Sequence, residues 1–307
     1  MNGIYRFKEN FEKLYSSWGN YFIALGKCLT AFLLFHQING RMGHMAALAN
    51  IFLELILALF CSFLPMNTTV VLGAVFVLGQ LFGLSLPALI VGGSILIIVL
   101  MVYFCFAPKE VWALLLTALA LAFHIPCIAP LVLGLLGSPL AGVGIACGIV
   151  LYYTCAALQD LGNTAAMVTL AGESAGEALP DTVRSMMDAV LGEQEMILML
   201  FTLLAAFVVV YFSRRLAMKY AWTVAIAAGT LIYLVLAAAG GLMLEMRLGL
   251  VEILLGTLIS CLIAVILEFL FFHLDYTKTE KLQFEDDEYY YYVQAVPKKR
   301  LEKKKKR

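Results

Sequence analysis

Runs of apolar residues long enough to cross a bilayer leave this chain few folds to choose from. A helix needs about 20 apolar residues to span a hydrocarbon core of roughly 30 Å. Eight runs meet or approach that length: Tyr21–Gln37, Ala47–Pro65, Thr69–Leu86, Ala88–Ala107, Leu140–Leu158, Met196–Phe212, Tyr220–Leu242 and Leu250–Phe272. Backbone amides in lipid have no water to bond, so only helices or closed barrels cross, and continuous apolar runs lack the alternation of a barrel strand. The expected fold is all-α, a polytopic transmembrane helical bundle of about eight spans. Composition agrees: 63% of the 307 residues are hydrophobic and 14% are charged, against about 25% charged in a soluble domain. The net charge of zero hides clustering. A charged N-terminal segment (1–20) and a charged tail (273–307) flank a transmembrane domain (21–272) with few charges.

One apolar stretch, Val111–Leu136, does not read as an ordinary span. Pro126 and Pro130 interrupt it, and a proline inside a helix removes a hydrogen bond and clashes with the preceding turn. The stretch divides into Val111–His124 and Ile128–Leu136, which at ~1.5 Å per residue reach about 21 and 14 Å, short of a crossing. Basic residues in short loops mark the cytoplasmic side. They occur at Arg6, Lys8 and Lys13, at Lys109, at Arg214, Arg215 and Lys219, and throughout the C-terminal tail. Counting four crossings from each terminus puts both ends of Val111–Leu136 on that side. The stretch therefore reads as a re-entrant hairpin turning at His124–Pro130, or as two short crossings of the same parity. Both termini are expected in the cytoplasm of a cell (plasma) membrane protein.

Residues 159–195 then form an extracytoplasmic loop, with Asp160, Glu173, Glu177, Asp181, Asp188, Glu193 and Glu195 against one Arg184. Within it Asp181 reads as the N-cap of a short amphipathic helix carrying Val183, Met186, Met187, Val190 and Leu191. Met1–Asn20 carries charges of both signs and no A-x-A-like site follows, so no cleavable signal peptide is expected.

Polar residues inside spans are costly and are functional hypotheses by default. Lys27 in the first span and Glu54 in the second are placed at similar depth. They suit either a proton- or substrate-linked site or a structural ion pair locking a helix hairpin; alternatively Lys27 snorkels to the interface. His124 lies at the hairpin apex beside Pro126, as a packing residue or a ligand. Gln80 in the third span is a further candidate, with Gln159–Asp160, Glu252 and Glu268 nearer the interfaces. Seven cysteines lie in or beside apolar runs without a paired or metal-ligand spacing. No catalytic, nucleotide-binding or metal-binding signature occurs, so neither enzyme activity nor a cofactor is expected. Gly79-x-x-x-Gly83 and Gly144-x-x-x-Gly148 allow close helix approach within the bundle or in a homo-oligomer.

The tail changes character after His273. An acidic segment, Phe284, Glu285, Asp286, Asp287 and Glu288, leads into Tyr289, Tyr290, Tyr291 and Tyr292, a run with strand propensity. A lone strand is unstable, so it either pairs with the sheet edge of a partner or of a second copy, or lies disordered on the membrane surface. The final Lys298–Arg307 run suits the anionic lipid of the inner leaflet, and specific nucleic-acid binding is not expected of it. The text LDYTKTEKLQFEDDEYYYYVQAVPK (Leu274–Lys298), with Arg214–Thr223 and the Ala107-Pro-Lys-Glu110 turn, resembles a group of multi-pass membrane proteins of Gram-positive anaerobic bacteria often labelled "ABC transporter permease". The resemblance implies a permease-like subunit of a transport system, and the chain has no Walker A motif, so a separate ATPase subunit would dock on its cytoplasmic loops. The alternative is a membrane scaffold that recruits a partner through the tail.

Overall fold

A computed structural model describes residues 2–43, 45, 48–170, 179–216, 218, 220–244, 249–271, 280–285 and 290–295. Among them are eleven helices: α1 Asn2–Met42, α2 Ile51–Phe63, α3 Met66–Leu84, α4 Leu86–Phe106, α5 Val111–Ala122, α6 Ile128–Leu136, α7 Ala141–Leu170, α8 Leu179–Leu191, α9 Gln194–Ser213, α10 Ala221–Met243 and α11 Leu250–Phe271. Seven are long and apolar enough to cross a membrane, and the protein is an all-α polytopic bundle. The expected second span is the exception. Asn50 caps α2 by accepting from the Phe52 N–H at 3.0 Å, so the helix starts late. Its 13 residues reach only ~20 Å.

Contacts between helices fix their directions. We call the end of the bundle where α1 begins the near face and the opposite end the far face. α1 kinks at Trp18 and then runs to the far face. α2 returns beside it, with Ser62 Oγ donating to the Ala24 carbonyl at 2.8 Å. α3 runs parallel to α1, with Phe35 and Phe76 ring centroids 5.2 Å apart. Ser85 alone joins α3 to α4. Its N–H donates to the Leu81 carbonyl, closing α3, while its hydroxyl accepts from the Ala88 N–H, opening α4. α7 leads back to the far face, α9 and α10 make a hairpin, and α11 ends at the near face.

α5 and α6 form the hairpin expected over Val111–Leu136. At 12 and 9 residues, or ~18 and ~14 Å, each arm is shorter than the hydrocarbon core of a bilayer. Ser138 Oγ donates to Glu110 Oε1 at 2.6 Å, which holds both ends of the hairpin at the near face. α6 is enclosed by the largest core of the molecule. There Leu131, Leu133 and Leu135 pack among Ile145 and Ile149 of α7, Leu203, Phe207 and Val210 of α9, and Ile226 and Tyr233 of α10. A broken helix at this depth is tolerable because protein surrounds it.

Two other expectations change. Much of the 159–195 loop is helical, because α7 continues to Leu170 and α8 packs Met186 and Val190 into the core beside Leu81 and Ala88, leaving Met187 and Leu191 exposed. The tail strand finds its partner in the preceding segment. β1 (Glu280–Glu285) and β2 (Tyr290–Ala295) pair antiparallel, with Phe284 opposite Tyr291, Glu285 opposite Tyr290 and Gln283 opposite Tyr292. Asp286, Asp287, Glu288, Tyr289 and the terminal basic run lie outside the described residues.

Candidate functional site: a cavity over the re-entrant hairpin

The hairpin apex is built by local backbone chemistry. The Ile125 N–H donates to the Ala120 carbonyl at 2.9 Å and the His124 N–H to the Leu121 carbonyl at 3.2 Å. This pair of bonds is the Schellman helix ending, whose turning residue takes a left-handed conformation and is usually glycine. Here His124 occupies it, at φ 58°, and Pro126 prevents the helix from resuming. The turn spans Phe123–Cys127 and is tighter than expected. Pro130 is not a breaker but the third residue of α6, where a missing N–H is one of the first-turn donors that have no helical partner anyway. The apex docks on α11 at Gly256, where any Cβ would lie 2.6 Å from the His124 carbonyl oxygen.

Between the apex and the far face lies a cavity of about 520 Å³. Its rim carries Asp160 from within α7, Glu193 and Glu195 from the start of α9, Glu252 from the start of α11, and Arg41 from the end of α1. The fold brings these charges together from segments far apart in sequence. The Arg41 guanidinium sits 4.6 Å from the centre of the Tyr152 ring, and Gln159 holds the Arg41 backbone by donating to its carbonyl. Deeper, the lining includes exposed His124 with Pro126 at the apex, Tyr153 of α7, and Tyr233 halfway along α10. Tyr153 and Tyr233 are 9% and 1% exposed. Among the described residues no group of three or more His, Cys, Asp or Glu side chains is arranged to hold a metal ion.

Lys27 and Glu54 are not brought together. Lys27 Nζ donates to the Leu64 carbonyl at 3.3 Å, capping the near-face end of α2. Glu54, 3% exposed, is instead bonded near the far face by Asn39 Nδ2 at 2.6 Å and His36 Nδ1 at 3.2 Å. His36 and Asn39 are nine and twelve residues beyond Lys27 on α1, so the two groups differ in depth by about 16 Å. The equal-depth expectation fails because α1 extends to Met42 and α2 begins only at Ile51.

Gln80 joins the Glu54 cluster. It donates to Asn39 Oδ1 and accepts from the Met45 N–H at 3.1 Å, while Asn39 Nδ2 also donates to the Leu48 carbonyl at 2.7 Å. The cluster thus supplies partners to the Met45 N–H and the Leu48 carbonyl in the segment between α1 and α2. His36 and Asn39 were not singled out from the sequence; their spacing one helical turn apart on α1 was the available signal.

At the near face the hairpin is fastened. Arg214 donates to the Leu135 carbonyl and, at 2.9 Å, to the Gly137 carbonyl, covering the C-terminal end of α6. Burial, then the like charge of Arg215, push its guanidinium below the ordinary range, opposed by Tyr211; it stays charged at any physiological pH. The small-residue spacing at Gly144 and Gly148 packs α5 onto α7 within the chain. No protein-family model matches this chain, and neither a curated protein nor a solved structure matches it.

Proposed function

We propose that this multi-pass membrane protein is a permease-like transmembrane subunit whose solute site is the cavity over the re-entrant hairpin. One observation carries the reading: a charged, tyrosine-lined space of about 520 Å³ opens toward the far face and is floored by the hairpin apex. That is a volume typical of small-molecule sites. A bundle serving only as an anchor has no need of such a space. The distribution of Lys109, Arg214, Arg215 and Lys219 supports a cytoplasmic near face with both termini inside, and the cavity then opens to the outside of a cell membrane. Any energy from ATP would come from a separate subunit docking at the near face. Arg214 is already committed to the hairpin, which leaves Lys109, Arg215 and Lys219 as the docking cations.

The test places a cysteine on the cavity wall, Ala157→Cys, and treats intact cells with a membrane-impermeant thiol reagent, using the parent protein as background. Labelling from outside is the expected result. Labelling only after the cells are opened from the cytoplasmic side, or none at all, refutes the reading. A second reading, a scaffold acting through its tail, draws on the β1–β2 hairpin, since two strands alone are marginal and leave open edges. A pull-down comparing the full chain with one truncated after His273 separates them. A partner lost on truncation favours the scaffold, and an ATPase retained by both versions favours the permease.

A further inference from the structure

We infer that the cavity takes a small organic cation, an amine or guanidinium compound, with its charge at the carboxylate rim and its body against the tyrosine floor. The inference rests on the reading that this cavity is a solute site, and three features of the lining carry it further. The first is charge: among the described residues four rim carboxylates, Asp160, Glu193, Glu195 and Glu252, face one cation, Arg41. A cleft lined mostly by one sign of charge with low-dielectric walls concentrates the opposite sign.

The second is open hydrogen-bonding capacity in the lining. Tyr153 and Tyr233 are more than nine-tenths buried and line this space, yet neither hydroxyl has a hydrogen-bond partner among the described residues. A hydroxyl that opens into the cavity without a protein partner can accept from the donor groups of a bound ligand. The third is a demonstration from the chain itself. Arg41, a tethered guanidinium, already rests on the Tyr152 ring at 4.6 Å, which is the cation–π geometry that a free cation would adopt on another ring. A metal ion fits less well. The volume is far larger than a bare ion needs, and the described carboxylates do not converge as ligands.

The probe is agmatine, which carries an amine at one end and a guanidinium at the other, with the dianion glutarate as control. Isothermal titration of the purified full-length protein in detergent should give saturable agmatine binding that weakens as ionic strength rises, and no binding of glutarate. Glu195→Gln with Glu252→Gln should lower agmatine affinity about tenfold through lost charge-assisted contacts. Tyr233→Phe removes only the hydroxyl and should lower it about fivefold. Unaltered gel-filtration profiles would show that these variants are folded.

Absence of agmatine binding to the parent protein, equal binding to all variants, or equal binding of glutarate overturns the inference. Its failure is distinguishable from failure of the permease reading. If Ala157→Cys is labelled from outside but agmatine does not bind, the cavity remains a solute site for another class. If the cysteine is not labelled from outside, the site itself is refuted.

Discussion

Placing alanine at both Gly144 and Gly148 tests whether the hairpin is held by close backbone approach. A Cβ at Gly144 would lie 2.6 Å from the Ala113 Cβ, 3.2 Å from the Leu114 nitrogen and 3.3 Å from the Glu110 carbonyl oxygen. One at Gly148 would lie 2.9 Å from the Leu114 carbonyl oxygen and 3.0 Å from the Thr117 Cβ. Carbon atoms pack at about 3.5–4.0 Å, so each substitution asks α5 to retreat by roughly 1 Å. The two positions lie one turn apart on the same face, and a tilt that relieves one tightens the other. Overpacking of this kind costs about 1–3 kcal/mol per site. The sites share a partner helix and will not add fully, so the pair should cost about 3 kcal/mol. At about 2 °C per kcal/mol for a chain of this size, thermal unfolding in detergent should shift down by about 6 °C. Gly26→Ala is the control, since a Cβ there meets nothing within 4 Å. It should gain about 0.5–1 kcal/mol from helix propensity. An unchanged melting temperature for the double variant, or an equal loss in Gly26→Ala, would refute the account of the α5–α7 contact.

Three more outcomes follow from named contacts. His124→Gly removes the penalty of about 1–2 kcal/mol for a side chain in the left-handed region, so it should raise the melting temperature by a few degrees while leaving the turn intact; a fall would mean that the imidazole contributes more than the turn. Asn39→Leu breaks bonds to Glu54, Leu48 and Gln80 at once and should destabilise by about 3 kcal/mol, whereas Lys27→Met loses one 3.3 Å bond and should cost less than about 1 kcal/mol; equal losses in paired melts would contradict the network. Arg214→Ala should speed hydrogen exchange in residues 135–140 at the base of the hairpin, and Arg214→Lys should restore protection only in part, because an ammonium lacks the fork that reaches two carbonyls; full rescue by lysine would show that charge alone suffices.

Much of the bundle was legible because hydropathy and loop charge act over whole segments. The parity argument placed both ends of Val111–Leu136 at one face, and the Glu110–Ser138 bond shows them there. Helix ends were less legible, and the errors at residues 42 and 51 were enough to misplace Lys27 against Glu54. Run length measures apolar content, but a helix starts where a cap such as Asn50 satisfies its first amides. Pro130 misled for a similar reason: the cost of proline depends on its position in the turn, which its presence in an apolar run does not reveal.

The cavity was beyond the reach of a linear reading because its charges come from three helix ends and the body of α7, which neighbour one another only in space. Asp160, Glu195 and Glu252 each look like ordinary interfacial residues in their own segments. They become one acidic rim because the hairpin stops short. α5 and α6 occupy only the near-face part of the bundle's depth, and the neighbours α7, α10 and α11 continue past the apex to the far face. The turn at His124 and Pro126 and the short helical arms therefore leave the space above the hairpin open. The short reach of the hairpin is what leaves a cavity of about 520 Å³ above its apex.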